Sequence, residues 1–151
     1  MTDGLTLFFS WGGLNMAQEL REKASPVALA CALLEDNNRA LFLVRRGQNG
    51  GEAIELPCAL VFPGEDPAGL AVGALREKAG IDAHSPGVAF EARHNAGSRK
   101  HKHLVPVLVF KMVAKDRTAR PSSEFSGFRW VPLAEAKKTR LGRNAEWLNS
   151  I

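Results

Sequence analysis

The sequence predicts a single α/β domain in which a mixed β-sheet is sandwiched between helices, and three observations support this prediction. Apolar runs of strand length alternate with segments that carry helix start and stop signals. No internal repeat, linker or low-complexity segment interrupts this alternation. With 151 residues, the chain is long enough for one domain with a hydrophobic core and too short for two ordinary ones. Interleaved strands and helices of this kind form α/β sandwiches.

The first two strands are predicted from two apolar runs that flank a polar turn. Residues 26–34 are apolar, residues 35–38 are polar, and residues 40–44 are apolar again. Two strands around a short polar turn usually pair, so we predict a β-hairpin here. Residues 55–62, which are mixed in polarity, predict a short strand followed by a loop.

A helix is predicted to begin at Pro67 and to stop at Gly80. Asp66 can cap its N-terminus, and Pro67 suits the first helical position because its missing N–H would have no partner there. Gly80 can adopt the left-handed conformation that ends many helices. An apolar stripe along this helix is formed by Leu70, Ala71, Ala74 and Leu75.

The C-terminal half predicts three more strands and two short helices. The strands are expected at residues 88–94, 104–113 and 125–131. Because Pro106 has no backbone N–H to donate, it predicts an edge or a bulge near the start of the second of these strands. The helices are expected to begin at Pro132 and Asn144, with Trp147 packed inward.

The composition is that of a globular domain and excludes a disordered or membrane-embedded chain. Hydrophobic residues make up 45% and charged residues 24% of the sequence. The formal net charge of +4 favours anionic ligands, nucleotides included, but does not indicate nucleic acid as a partner.

The chain contains two cysteines, Cys31 and Cys58, both in apolar contexts. Their spacing matches no metal-binding pattern. We therefore expect two buried free thiols in a reducing compartment, and hence a cytoplasmic protein. A Cys31–Cys58 disulfide is the alternative, and nothing in the sequence favours it.

Residues 1–24 are interpreted as an extension that precedes a domain at residues 25–151. Residues 5–14 are apolar, but this stretch is too short to span a bilayer and no basic segment precedes it. Two explanations stay open. Either the start was assigned upstream of Met16, or residues 5–11 form an extra edge strand.

The segment from Leu56 to Ile81 resembles the signature of the Nudix hydrolase family. That signature is G-x5-E-x7-R-E-U-x-E-E-x-G-U, where U is a bulky aliphatic residue, and Leu-Pro commonly precedes it. Residues 43–47 are typical of the family's second strand, and residues 128–133 are typical of the step from strand to helix in its C-terminal part. Without a gap, the chain matches the signature region at Leu56-Pro57, Pro63-Gly64-Glu65, Leu75, Glu77, Gly80 and Ile81. The resemblance covers residues 25–151 and implies a Nudix-like α/β/α sandwich.

The chain departs from the signature where the family's chemistry lies. The glycine that opens the signature is Ala59, its arginine is Gly73, and two of its helix glutamates are Ala74 and Lys78. In the family, three glutamates at positions equivalent to 74, 77 and 78 share one helix face and hold divalent cations. Three glutamates carry −3, whereas alanine, glutamate and lysine sum to 0. The resemblance therefore implies Mg²⁺ as cofactor, and the residues weaken that implication.

Two functional hypotheses follow from the resemblance. In the first, the protein is a catalytically impaired or inactive member that binds a nucleotide or another phosphorylated ligand. In the second, it is a Mg²⁺-dependent hydrolase of a nucleoside diphosphate linked to another group. Glu65 and Glu77 would then hold the metal, and Glu124 would activate water, with Asp66 or Glu91 as alternatives. The loss of helix carboxylates favours the first hypothesis.

Four basic residues are candidates for phosphate binding. Arg45 and Arg46 end the second predicted strand beside the expected cleft, and Lys78 occupies the position of a metal-binding glutamate. Lys100 belongs to the cationic run Arg99-Lys100-His101-Lys102-His103. The family resemblance adds the expectation of a homodimer. No membrane partner is expected.

Overall fold

Two four-stranded β-sheets occupy the centre of the protein, whose computed structural model describes residues 24–151. In chain order the strands are β1 (Ala28–Leu33), β2 (Glu35–Asp36), β3 (Arg39–Arg46), β4 (Glu52–Glu55), β5 (Cys58–Val61), β6 (His84–Asn95), β7 (Leu104–Val113) and β8 (Gly127–Val131). The helices are α1 (Pro67–Ala79), α2 (Leu133–Ala136) and a C-terminal 3-10 helix (Arg143–Ser150). The predicted strand at residues 104–113 is thereby confirmed.

The first sheet is mixed, as predicted. Its spatial order is β5-β1-β7-β6, in which β1 runs parallel to β7 and antiparallel to β5. All six residues of β1 are buried, which suits a strand that has neighbours on both edges and elements packed on both faces. In the second sheet, β3 pairs antiparallel with β2, β4 and β8.

The predicted hairpin between the first two apolar runs is wrong in its pairing. The polar turn exists, and Asn37 and Asn38 adopt the positive φ angles of 53° and 63° that asparagine tolerates well. However, this turn joins β3 to the two-residue strand β2 and not to β1. Because β1 pairs with β5 and β7, the two apolar runs belong to different sheets.

Pro106 lies in a central strand without disrupting it. It precedes Val107, the first residue of β7 that pairs with β1, so its missing N–H removes nothing from that ladder. On the other edge it lies opposite Arg93 in a regular part of the β6–β7 register. The predicted bulge is therefore wrong, whereas the predicted edge is confirmed on one side, because the start of β7 lies outside its ladder with β1.

Helix α1 begins and ends as its sequence predicts. The Asp66 carboxylate accepts a hydrogen bond from the Gly69 N–H at 3.2 Å, and Pro67 is the first helical residue. Gly80 ends the helix at φ 70°, with its N–H donating to the carbonyl of Arg76 at 2.9 Å. The residues buried along the helix are Ala71, Ala74, Leu75 and Ala79.

Hydrophobic cores lie on both sides of the sheets, which confirms the α/β/α architecture. One core packs α1 against the sheets and includes Leu43, Leu75 and Phe110. The other packs the C-terminal 3-10 helix against the opposite faces and includes Phe42 and Trp147. Trp147 is 3% exposed, so its predicted inward packing is confirmed.

Cys31 and Cys58 form a disulfide, so the prediction of two free thiols is wrong. The two residues lie directly opposite each other in the β1–β5 ladder, with their Cα atoms 4.1 Å apart. Their predicted burial is confirmed. Sequence reasoning missed the bond because it paired β1 with the wrong strand and left Cys58 without a neighbour.

The two explanations for the N-terminal segment concern residues 5–16, which lie outside the described residues. Within residues 24–151, no helix combines the length and the hydropathy needed to cross a bilayer.

Candidate functional site

A cleft of about 530 Å³ lies between α1 and β5. Cys58, Ala59 and Leu60 of β5 line one side, and Asn144 of the C-terminal 3-10 helix contributes a polar side chain. The lining residues from α1 are Gly69, Leu70, Gly73, Ala74, Glu77 and Lys78. The cleft therefore lies against the helix face to which the signature assigns the family's metal ligands.

Lys78 bridges the cleft from α1 to β5. Its ammonium donates a hydrogen bond to the backbone carbonyl oxygen of Cys58, at an Nζ–O distance of 2.8 Å, and the side chain is half-buried. Sequence reasoning offered a phosphate group as its partner and missed this carbonyl. An ammonium has three N–H groups, so two of them are left for a ligand.

Glu77 is exposed and is the one carboxylate among the residues that line the cleft. Within residues 24–151 it forms no ion pair. Glu65, its proposed partner in metal binding, is not part of the lining. The Glu65 carboxylate instead accepts a hydrogen bond from the Phe62 N–H at 2.9 Å and closes the turn in which Gly64 has a φ of 85°.

Arg45 and Glu124 hold each other outside the cleft lining. The Arg45 Nη2 donates to Glu124 at 3.3 Å, and its Nε donates to Glu55 at 3.0 Å. The guanidinium also lies 4.7 Å from the centre of the Phe125 ring. The two carboxylates raise the pKa of Arg45, with the Glu55 hydrogen bond as the largest cause. Arg45, which was predicted to bind phosphate, and Glu124, which was predicted to activate water, therefore belong to one cluster of side chains.

Glu55 is a polar residue of this cluster that sequence reasoning missed. It is 2% exposed, and in the described part of the chain its Oε2 atom has no hydrogen-bond partner. A charged residue directly before Leu56-Pro57, in a segment that becomes apolar, was the available signal. Since buried carboxylates need compensation, Glu55 depends on Arg45, and Arg45 is held in one orientation.

Glu124 reaches the end of α1 through a serine. The Ser122 N–H donates to the Lys78 carbonyl at 2.9 Å, and the Ser122 hydroxyl lies 3.5 Å from the Glu124 carboxylate. Glu124 is therefore placed behind the C-terminal end of α1, two residues along the chain from a serine that binds the backbone of Lys78. It does not line the cleft.

The two remaining candidates for phosphate binding, Arg46 and Lys100, also lie outside the lining, as do the alternative bases Asp66 and Glu91. Arg46 is paired with Glu52, at an N–O distance of 3.7 Å. Lys100 is exposed in the loop that connects β6 and β7. Among the residues predicted to bind or to react, Glu77 and Lys78 are thus the pair that the fold brings into one cleft.

The donor groups of the cleft do not fit a magnesium site. Mg²⁺ requires octahedral oxygen coordination and usually takes one or two carboxylates together with water and phosphate oxygens. The cleft supplies one carboxylate, that of Glu77. Its Lys78 ammonium is hydrogen-bonded to the Cys58 carbonyl of β5, which also lines the cleft. Across residues 24–151, no three His, Cys, Asp or Glu side chains cluster closely enough to hold a metal ion. We therefore derive no catalytic step through a metal.

The family model of the NUDIX domain matches residues 24–150, which include α1, β5 and the cleft between them. The chain belongs to the Nudix family. No protein of curated function matches the sequence of this Nudix protein.

Several solved structures share the fold of this chain at low sequence identity. The ORF135 protein of E. coli superposes with a TM-score of 0.63 at 20% identity, covering 85% of this chain and 89% of that one. The E. coli dihydroneopterin triphosphate pyrophosphohydrolase gives 0.60 at 14% identity, with 85% and 97% covered. The NUDIX domain of Shewanella oneidensis NrtR, solved with ADP ribose, gives 0.56 at 14% identity, with 91% and 96% covered. These likenesses confirm the predicted fold.

Proposed function

We propose that this Nudix protein binds a phosphorylated small molecule such as a nucleotide in the α1–β5 cleft, without a divalent cation, and that it is catalytically impaired or inactive. One observation carries the proposal: the Lys78 ammonium is bonded to the Cys58 carbonyl, on the helix face where the signature has metal-binding glutamates. The lysine places an ammonium group in the cleft, with two N–H donors besides the one bonded to Cys58. Both favour a phosphate oxygen.

The same ammonium disfavours a metal ion. At about 4–6 Å, it would repel a divalent cation by on the order of 5–8 kcal/mol at a surface-like dielectric constant of about 20. Glu77 alone cannot offset this repulsion and also supply the coordination that Mg²⁺ needs. Two related structures support the class of ligand, because one was solved with ADP ribose and the other is named for a triphosphate substrate.

Calorimetric titration with AMP, ADP and ATP in a chelator tests the binding. We expect binding without metal, and we expect Lys78→Gln to weaken it at least tenfold because the ammonium is lost. Lys138→Gln, which removes an exposed lysine outside the cleft lining, is the matched control and should bind normally. Nucleotide binding that appears only when Mg²⁺ is added would refute metal-free binding.

Phosphate release from a panel of nucleoside diphosphate derivatives, with Mg²⁺ or Mn²⁺ against a chelator, tests the impaired catalysis. We expect no turnover from the wild type. The triple variant Gly73→Arg, Ala74→Glu, Lys78→Glu restores the helix residues of the signature and should gain metal-dependent hydrolysis. Wild-type turnover that needs metal and disappears in Glu77→Gln would instead establish the Mg²⁺-dependent hydrolase, and loss in Glu124→Gln would identify its base.

The cytoplasmic location and the homodimer stay predictions. The Cys31–Cys58 disulfide bears on the first, because disulfides are rare in reducing compartments. Cell fractionation tests the location, and light scattering of the purified protein tests the dimer.

A further inference from the structure

The loop between β6 and β7 has a conformation fixed by hydrogen bonds. The Asn95 side-chain oxygen accepts from the N–H groups of Gly97 at 2.9 Å and His103 at 3.0 Å. Ser98 and His101 are joined by two hydrogen bonds, of 3.1 Å and 2.9 Å. A Cβ atom on Gly97 would lie 2.1 Å from the His101 carbonyl oxygen, so the close approach requires glycine. Side chains on this loop are therefore presented by an ordered backbone.

This ordered loop and the end of β6 carry positive charges that have no ion-pair partner among the described residues. Arg93, Arg99, Lys100 and Lys102 lie between Ala92 and Leu104, and no acidic residue lies in that interval. All four side chains are exposed. Within the described residues none of them forms an ion pair. Neighbouring like charges repel one another, so an anion bound here would relieve that repulsion.

Arg143 connects the loop to the cleft. Its guanidinium Nη2 donates a hydrogen bond to the carbonyl oxygen of Gly97. The next residue, Asn144, lines the cleft, and consecutive Cα atoms are only about 3.8 Å apart. The cationic loop is thus held beside the end of the cleft that Asn144 forms.

We propose that Arg99, Lys100, Lys102 and Arg143, here called the basic rim, bind a second phosphate group of the ligand whose first phosphate group contacts Lys78. This inference rests on the proposed function and narrows it to nucleotides with more than one phosphate group. Inside the cleft, the charges of Glu77 and Lys78 sum to zero, so the cleft alone compensates little of a polyphosphate's charge. The unpaired cations needed for the remainder lie on the rim.

The test compares AMP with ATP by calorimetric titration in a chelator at low salt. The rim variant is Arg99→Ser, Lys100→Ser, Lys102→Ser, with Arg143 left in place to keep the loop attached. The control variant, Lys111→Ser, Lys115→Ser, Lys138→Ser, removes the same charge from exposed positions elsewhere. Lys111 lies seven residues along β7 from Leu104, roughly 23 Å away at the rise of a strand.

We expect wild type and control to bind ATP at least tenfold more tightly than AMP, and the rim variant to lose that difference while binding AMP normally. A rim variant that keeps the difference, or a control that loses it equally, overturns the rim. If AMP binding depends on Lys78 but ATP binds no more tightly than AMP, this inference is refuted while the proposed function still holds. Tighter rim-dependent binding of a single-stranded oligonucleotide than of ATP would assign the rim to nucleic acid and overturn the inference as well.

Discussion

The two sides of α1 differ in what they have kept of the Nudix signature. On the core-facing side, the fully buried Leu75 is retained, as is the buried Ile81 just beyond the helix. The exposed Gly80 that ends the helix is also retained. On the cleft-facing side, Glu77 remains and the other ligand positions are lost. The difference shows that fold and chemistry depend on separate residues of one helix, because burial stabilises the first and charge arrangement supports the second.

Ala74 lies on the boundary between the two sides. It is 4% exposed and belongs to the core cluster under α1, yet it also lines the cleft. The signature places a glutamate here. At this position the chain has an apolar core contact in place of a metal-binding carboxylate. Ala74 thus combines the buried packing of one side with the lost ligand of the other.

The largest expected effect separates the two sides by stability. Leu75→Ala should lower the free energy of unfolding by about 2–5 kcal/mol, because it removes fully buried methyl groups and leaves a cavity. Urea denaturation measures the loss. Glu77→Ala, on the exposed side two residues later, should change it by about 0.5 kcal/mol or less. Similar losses for both substitutions would break the comparison.

The Cys31–Cys58 disulfide, which joins β1 to β5 beside the cleft, should contribute to stability. Replacing Cys31 and Cys58 by alanine should lower the free energy of unfolding by about 2–4 kcal/mol, since the bond joins residues 27 apart and restricts the unfolded chain. Equilibrium unfolding with and without a phosphine reductant measures this. The reductant should shift the wild-type midpoint and leave the double variant unchanged. A wild-type unfolding midpoint that does not change when the reductant is added would contradict the disulfide.

On the side of the sheets opposite α1, we expect His94 of β6 to make the stability of the fold depend on pH. This residue is 5% exposed, and burial, followed by the charge of Arg143, lowers its pKa below the usual 6.5. As the pH falls below about 6.5, the unfolded chain gains a proton at this site that the folded protein does not take up. Stability should therefore fall with pH, by up to about 1.4 kcal/mol per pH unit, until the lower folded pKa is reached.

Denaturation between pH 7 and pH 5 measures this dependence. The comparison is with His94→Gln, which should lose this component of the slope. His84→Gln, at an exposed position of the same strand, should keep it. An unchanged slope in His94→Gln would show that another group is responsible.

The smallest effect distinguishes two glycines on the cleft side of α1. A Cβ atom on Gly73 meets no other atom within 4 Å, so Gly73→Ala should stabilise the protein by about 0.5–1 kcal/mol through helix propensity. On Gly69 the Cβ atom would lie 2.9 Å from the capping Asp66 carboxylate, so Gly69→Ala should gain less. Thermal unfolding of both variants checks the order. Equal gains would show that the cap adjusts freely.

The sequence by itself determined the features that depend on neighbours along the chain. The Asp66 cap, the Pro67 start and the Gly80 stop of α1 are confirmed, since each acts within one turn of the helix. The strand at residues 104–113 and the Nudix family are confirmed for a similar reason, because both follow from continuous patterns of residue types.

Only the tertiary structure decided the features that join distant segments. The pairing of β1 with β5 placed Cys31 opposite Cys58 and produced a disulfide where free thiols were expected. In β5, the Cys58 carbonyl also accepts a hydrogen bond from Lys78, which lies twenty residues further along the chain. Arg45 likewise met Glu55 and Glu124 across 10 and 79 residues. Strand order and side-chain partners of this kind depend on packing energies summed over the whole domain, and no local pattern of residues encodes them.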